Sequence, residues 1–152
     1  MSNLLKNFVG IDISKLTFNV ALLRVAQPGV IIHQQFRQGL QGFCQFQSWL
    51  QQQGAGLDVQ TLFCMEFTGI YSTALVDFLC NAKALVWVES GLKIKKSDGF
   101  ERSGNDKTDA VKIANYAFRF QDRKVLWSPA DACLGKIKHL IAKRDRIVNS
   151  LS

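Results

Sequence analysis

Four carboxylates are spaced so that folding can gather them: Asp12, Glu66, Asp106 and Asp109. Asp12 ends the apolar run Phe8-Val9-Gly10-Ile11, and Glu66 ends another, Leu62-Phe63-Cys64-Met65. Asp106 and Asp109 stand three residues apart where a helical pattern begins. Strand ends bring together residues distant in sequence, and i, i+3 spacing puts two helical residues on one face. Acids gathered this way repel one another unless cations sit among them. Hard divalent cations with oxygen ligands, Mg²⁺ or Mn²⁺, are the natural occupants. A two-metal carboxylate site is a device for in-line displacement at phosphorus.

Each acid also has a plainer role. An Asp at a strand end commonly makes local turn hydrogen bonds. Asp106 and Asp109 suit the first turn of a helix, where they complement its dipole. Glu66 resists such a reading, because a charge on an apolar strand is costly without a partner. At the carboxyl end of a parallel strand, ligand binding accounts for it better. The ordered set of strand-Asp, strand-Glu and helix Asp-x-x-Asp is more specific than any member. Lys93, Lys95, Lys96, Arg102 and Lys107 lie just before and within the acidic helix turn. They are candidates for holding nucleic-acid phosphates, with a solvated loop as the alternative. Phe100 and Tyr71 are candidate base-stacking groups, against ordinary packing. Ser14, Thr17 and Ser103 have no His placed to activate them, so no hydrolase triad is read.

The elements that must position these residues follow from periodicity. Asn7–Ile13, Leu16–Val25 and Val30–Arg37 read as three strands with short connections, an antiparallel meander. Gly39–Gln53 carries Leu40, Phe43, Phe46, Trp49 and Leu50 at helical spacing. Thr61–Phe67 is a fourth strand, Thr73–Lys83 a second helix and Ala84–Glu89 a fifth strand. Alternating strands and helices in this half imply parallel pairing with crossover helices. Gly91–Asn105 is polar, basic and weakly periodic. Asp106–Phe120 reads as a helix burying Ala110, Ile113, Ala114, Ala117 and Phe118. After a connector, Asp131 caps a last helix whose Cys133, Ile137, Leu140, Ile147 and Leu151 open a coiled-coil-like seam. No Gly or Pro ends that helix before Ser152. The chain therefore reads as a piece of a longer protein, with a frayed terminal helix as the alternative.

Composition sets the broad class. With 152 residues, 47% hydrophobic and 20% charged, the chain is globular and long enough for a real core. The net charge of +7 lies wholly in residues 91–152, because residues 1–90 balance five basic against five acidic side chains. That asymmetry suggests a neutral scaffold followed by a polyanion-facing segment. Cys44, Cys64, Cys80 and Cys133 form no CxxC pair and read as buried free thiols, which fits a reducing cytoplasm. Two histidines are too few for a zinc site. No run approaches a membrane span.

Three segments carry a family resemblance: Gly10-Ile11-Asp12-Ile13-Ser14-Lys15, Glu66-Phe67-Thr68-Gly69-Ile70-Tyr71 and Asn105-Asp106-Lys107-Thr108-Asp109-Ala110. Together they resemble the DEDD signature of bacterial insertion-sequence transposases with a RuvC-like N-terminal domain, a group that includes pilin-gene inverting recombinases. The resemblance spans nearly the whole chain. It implies a ribonuclease H-like (RuvC-like) α/β fold: a mixed sheet of three antiparallel strands then parallel strands, flanking helices and a C-terminal coiled-coil-like helix. It also implies divalent metal at Asp12, Glu66, Asp106 and Asp109, and DNA strand cleavage and transfer without target copying. Members characterised as programmable use a structured guide RNA to bridge donor and target DNA. The organisation expected by similarity is a catalytic domain over 1–129 and the start of a coiled coil over 130–152. A further domain, absent from this chain, supplies a nucleophilic serine. Homo-oligomerisation is expected of the full-length protein, and strand transfer is not expected of this chain alone.

Three other classes compete. A RuvC-type Holliday-junction resolvase shares the fold and a similar acidic quartet, but would act as a self-sufficient dimer. A sugar-kinase or actin-like lobe is suggested by Gly10-Ile11-Asp12-Ile13-Ser14, yet its second phosphate loop and adenosine motif are missing. A non-catalytic nucleic-acid-binding module would show no metal dependence.

Overall fold

The computed structural model describes residues 4–97 and 106–127, the side chains of 97 and 106–108 excepted. Five strands form one sheet: β1 (Asn7–Ile13), β2 (Thr17–Arg24), β3 (Ile31–Arg37), β4 (Thr61–Glu66) and β5 (Leu85–Glu89). Four α-helices accompany them among the described residues: α1 (Leu40–Gln52), α2 (Ile70–Asn81), α3 (Gly91–Ser97) and α4 (Asp106–Arg119). A 3₁₀ turn spans Gln121–Arg123. The strand order is β3-β2-β1-β4-β5. The first three strands pair antiparallel, while β4 runs parallel to both β1 and β5.

Alternation along each strand divides the core between two faces. Val9, Ile11, Phe18, Val20, Leu22, Phe63, Met65 and Val86 share one cluster with Phe43, Phe46 and Leu50 of α1 and Leu75, Val76 and Leu79 of α2. Phe8, Leu62, Cys64 and Trp87 face the other way, against Ile94 of α3 and Ile113, Tyr116 and Ala117 of α4. The sheet is thus sandwiched between two helical layers, and α4 rests on its second face. Gly10 permits that contact. A Cβ there would meet the backbone of Ala110 and Ala114, which a flexible neighbour could not relieve.

The expected meander and parallel half are both present, with four local differences. Helix α2 starts at Ile70 rather than Thr73. The Gly69 carbonyl accepts the hydroxyls of Ser72 at 2.9 Å and Thr73 at 3.2 Å, so these polar residues fit the first turn. The weakly periodic basic stretch begins with a helix, α3, which among its described side chains buries only Ile94. One buried side chain is too thin a stripe to read as 3.6-residue periodicity. In α4, Tyr116 is buried and Phe118 is 40% exposed, with its edge on Phe8 at 5.2 Å. Cys64 is buried as expected, but Cys44 is exposed, because the core-facing stripe of α1 passes through Phe43 and Phe46. The outer edge of β5 meets the segment after the 3₁₀ turn: Trp127 N–H donates to the Val86 carbonyl at 2.7 Å. The proposed coiled-coil seam and Cys133 lie outside the described residues. No helix among the described residues is long and apolar enough to cross a membrane.

Candidate metal and nucleic-acid site

Register decides which acids meet. In the parallel β1–β4 pair, Ile11 lies opposite Met65, so Asp12 and Glu66 follow on neighbouring strands. Neighbouring strands run about 4.8 Å apart. Gly10 faces α4, and Asp12 follows it by two residues onto the same face. Glu66 likewise follows Leu62 and Cys64, which pack on the α4 side. Glu89 of β5 is the register partner of Glu66 and follows Trp87 onto that face. Three carboxylates therefore stand along one rim at the carboxyl ends of β1, β4 and β5. Asn19, buried on β2, is the cross-strand partner of Asp12.

Helix α4 runs antiparallel to β1. Its Ala110 and Ala114 sit over Gly10, and further along Phe118 reaches Phe8. Its first turn, with Asp106 and Asp109, therefore lies at the same end of the sheet as Asp12. The positive end of the helix dipole faces that acidic rim and offsets part of the like-charge repulsion. Asp109 is half-buried, and the Asp106 side chain lies outside the described residues. Among the described residues, no three acidic, histidine or cysteine side chains stand together as a metal-binding group. The backbone brings Asp12, Glu66 and the Asp106–Asp109 turn to one end of the sheet.

Glu89 and Tyr116 were not singled out from the sequence. The Tyr116 hydroxyl donates to Glu89 Oε2 at 3.2 Å, and the Ser90 N–H donates to Glu89 Oε1 at 2.9 Å. Lys93 Nζ stands 3.9 Å from the same Oε1. Burial, then the Glu89 charge and hydrogen bond, push the Tyr116 phenol up to about 12, so it stays a donor. Burial, with the Glu89 charge behind it, also holds the Cys64 thiol well above its ordinary range. Cys64 is thus neither nucleophile nor thiolate ligand at neutral pH. Glu66 lies against the turn from β5 to α3: a Cβ on Gly91 would collide with its carboxylate. The only sequence signal for Glu89 was its place at the end of an apolar strand, the pattern that marked Glu66.

The basic candidates separate by position. Lys93 and Lys96 border a cleft beside Glu89, while the exposed Lys95 does not line it. Arg102 and Phe100 lie outside the described residues, as does the side chain of Lys107. Tyr71 is 44% exposed at the start of α2. Its carbonyl accepts Gln38 Nε2 at 2.9 Å, and the same amide donates to the Ser14 carbonyl at 3.0 Å, tying the hairpin after Asp12 to α2.

A family model described as DEDD_Tnp_IS110, a transposase, matches residues 9–152. No curated protein matches the chain significantly. Among solved structures, Thermus thermophilus RuvC superposes with a TM-score of 0.54 at 11% identity, covering 79% of this chain and 98% of that one. T. thermophilus RuvC in complex with a Holliday junction substrate gives 0.50 at 10% identity, over 76% and 96% of the two chains. At such identities the likeness speaks for the fold alone, which is RuvC-like.

Proposed function

We propose, since this chain belongs to the DEDD_Tnp_IS110 family of transposases, that its acidic rim is the metal-dependent DNA-cleaving site of the transposase. The observation that carries the reading is the β1–β4 register, which sets Asp12 beside Glu66 on the face where α4 begins. Asp12, Glu66, Asp106 and Asp109 are the ligands on this reading. Hard carboxylate oxygens beside a helix start suit Mg²⁺ or Mn²⁺, and the protonated Cys64 offers no competing soft ligand. When bound, such an ion polarises the phosphoryl oxygen and lowers the pKa of an attacking hydroxyl. The chain's own part is to hold the carboxylates at fixed strand ends and to anchor the DNA backbone with Lys93, Lys96 and their neighbours. A structured guide RNA, self-association through the Ile137, Leu140, Ile147 and Leu151 seam, and a nucleophilic serine supplied from outside residues 1–152 complete the proposal.

Calorimetric titration with Mn²⁺ tests the site directly. Wild type should bind with micromolar to millimolar affinity, and Asp12→Asn with Glu66→Gln should abolish the heat. Equal binding by that double variant would end the assignment. The RuvC-like fold keeps a resolvase as the second reading. Symmetric cutting of a four-way junction by residues 1–152 alone would favour it, whereas the transposase reading expects this chain to bind DNA without strand transfer.

A further inference from the structure

Beside the acidic rim, β5, α3 and the segment from Tyr116 to Val125 border a cleft of about 500 Å³ that none of the proposed metal ligands lines. Glu89, Lys93, Lys96, Tyr116, Phe120 and Arg123 line it. Three cations thus face one acid, and that acid is already engaged by the Tyr116 hydroxyl and the Ser90 N–H. The floor is a row of tilted aromatic rings: Trp87 and Tyr116 centroids lie 5.2 Å apart, and Tyr116 and Phe120 lie 5.1 Å apart. The guanidinium of Arg123 sits 5.2 Å from the Phe120 ring centre and that of Arg119 sits 5.4 Å from it. Phe120 therefore orients cations, which makes it a poor platform for a base.

We propose that this cleft holds backbone phosphates of a single DNA strand next to the one engaged at the acidic rim. The inference rests on the proposed function and adds Arg123 to the phosphate-contacting groups, with Phe120 holding its guanidinium and Tyr116 forming the floor beneath. Charge complementarity selects a polyanion: two lysines one helical turn apart on α3 face an arginine held by its aromatic neighbour. Position selects a strand passing the rim, because Glu89 ends β5 opposite Glu66. Size selects a single strand, since the cleft lies within the ~300–1,000 Å³ range of small-ligand pockets and does not admit a duplex. Lys95 points elsewhere and contributes less.

Fluorescence anisotropy with labelled oligo(dT), in EDTA over a range of NaCl, tests this on the 152-residue chain. A Lys96→Gln, Arg123→Gln variant is compared with Lys6→Gln, Lys83→Gln, which removes the same charge at two exposed lysines that do not line the cleft. Loss of two single-strand phosphate contacts should reduce the log–log salt slope by about 1.4. Affinity at low salt should fall at least about tenfold, while the reference variant stays within about twofold. All four positions carry solvent-facing side chains, and matching circular dichroism melts establish that the fold is retained. An equal loss in the reference variant, or an unchanged slope in the cleft variant, overturns the proposal and leaves the metal-site reading standing. A loss for oligo(rU) but not oligo(dT) overturns it in favour of RNA. A wild-type chain that binds neither oligonucleotide removes the DNA-cleavage reading together with the cleft.

Discussion

Replacing Gly10 by alanine should detach the helix that carries half of the acidic set. The new methyl would enter space held by the carbonyl of Ala110 and the amide of Ala114, and would come within 2.9 Å of the Ala114 Cα. All three obstacles are backbone, so no rotamer change relieves them. Overpacking a core ordinarily costs about 1–3 kcal/mol, and a backbone collision belongs at or above the upper end. Against this, losing a glycine from the unfolded chain returns only about 0.4–1 kcal/mol. The net destabilisation is therefore about 2–3 kcal/mol. For a domain of this size, each kcal/mol moves Tm by about 2–4 °C, so Gly10→Ala should melt roughly 4–12 °C below wild type. Gly56→Ala is the contrast, because its new Cβ would meet only the movable Asp58 carboxylate, at 3.2 Å. Trimming the helix with Ala114→Gly should not rescue Gly10→Ala, since the clash involves no side chain. Scanning calorimetry of the three variants reads all of this. A Gly10→Ala protein melting within 2 °C of wild type would refute the seating of α4 on β1, and with it the shared rim.

Three further outcomes follow from the same geometry. Millimolar Mn²⁺ should raise Tm, with about 2.7 kcal/mol of stabilisation at a hundredfold excess over Kd, and an Asp12→Asn, Glu66→Gln variant should show no rise in a fluorescence melt. The raised Tyr116 phenol binds its proton more tightly folded than unfolded. Its contribution is thus complete below about pH 10 and is lost as pH rises toward about 12; chemical denaturation across that window should show the decline, flattened in Tyr116→Phe. Thiol titration should find Cys44 reacting fast and Cys64 reacting only on unfolding, and a Cys44→Ser protein that keeps the same fast phase would contradict the burial described.

Much of this protein is legible along the chain. The apolar run in Asn7–Ile13, the alternate placing of Phe18, Val20 and Leu22, and the 3-and-4 spacing of Phe43, Phe46 and Leu50 mark strands and helix, because each is a local signal along the chain. Asp12 and Glu66 stand out because each charge ends an apolar run, and the motif resemblance spans both. Where the local signal is thin, the sequence is less decisive. Helix α3 buries one residue, and the turn of α4 that chooses Tyr116 over Phe118 is set by the aromatic neighbours Trp87 and Phe120.

The tertiary structure decided what stands beside what. Placing β4 between β1 and β5 brings Asp12, Glu66 and Glu89 to adjacent strand ends. Neither that strand order nor the register is written in any one segment. Both are settled by hydrogen bonds and packing between segments far apart in the chain, and a slip of one residue would turn Glu66 to the opposite face. The same distant contacts set Tyr116 on Glu89 and direct Lys93 and Lys96, but not Lys95, into one cleft. Residue types and spacing thus determined which chemistry is available, and the pairing of remote strands determined which residues can share it.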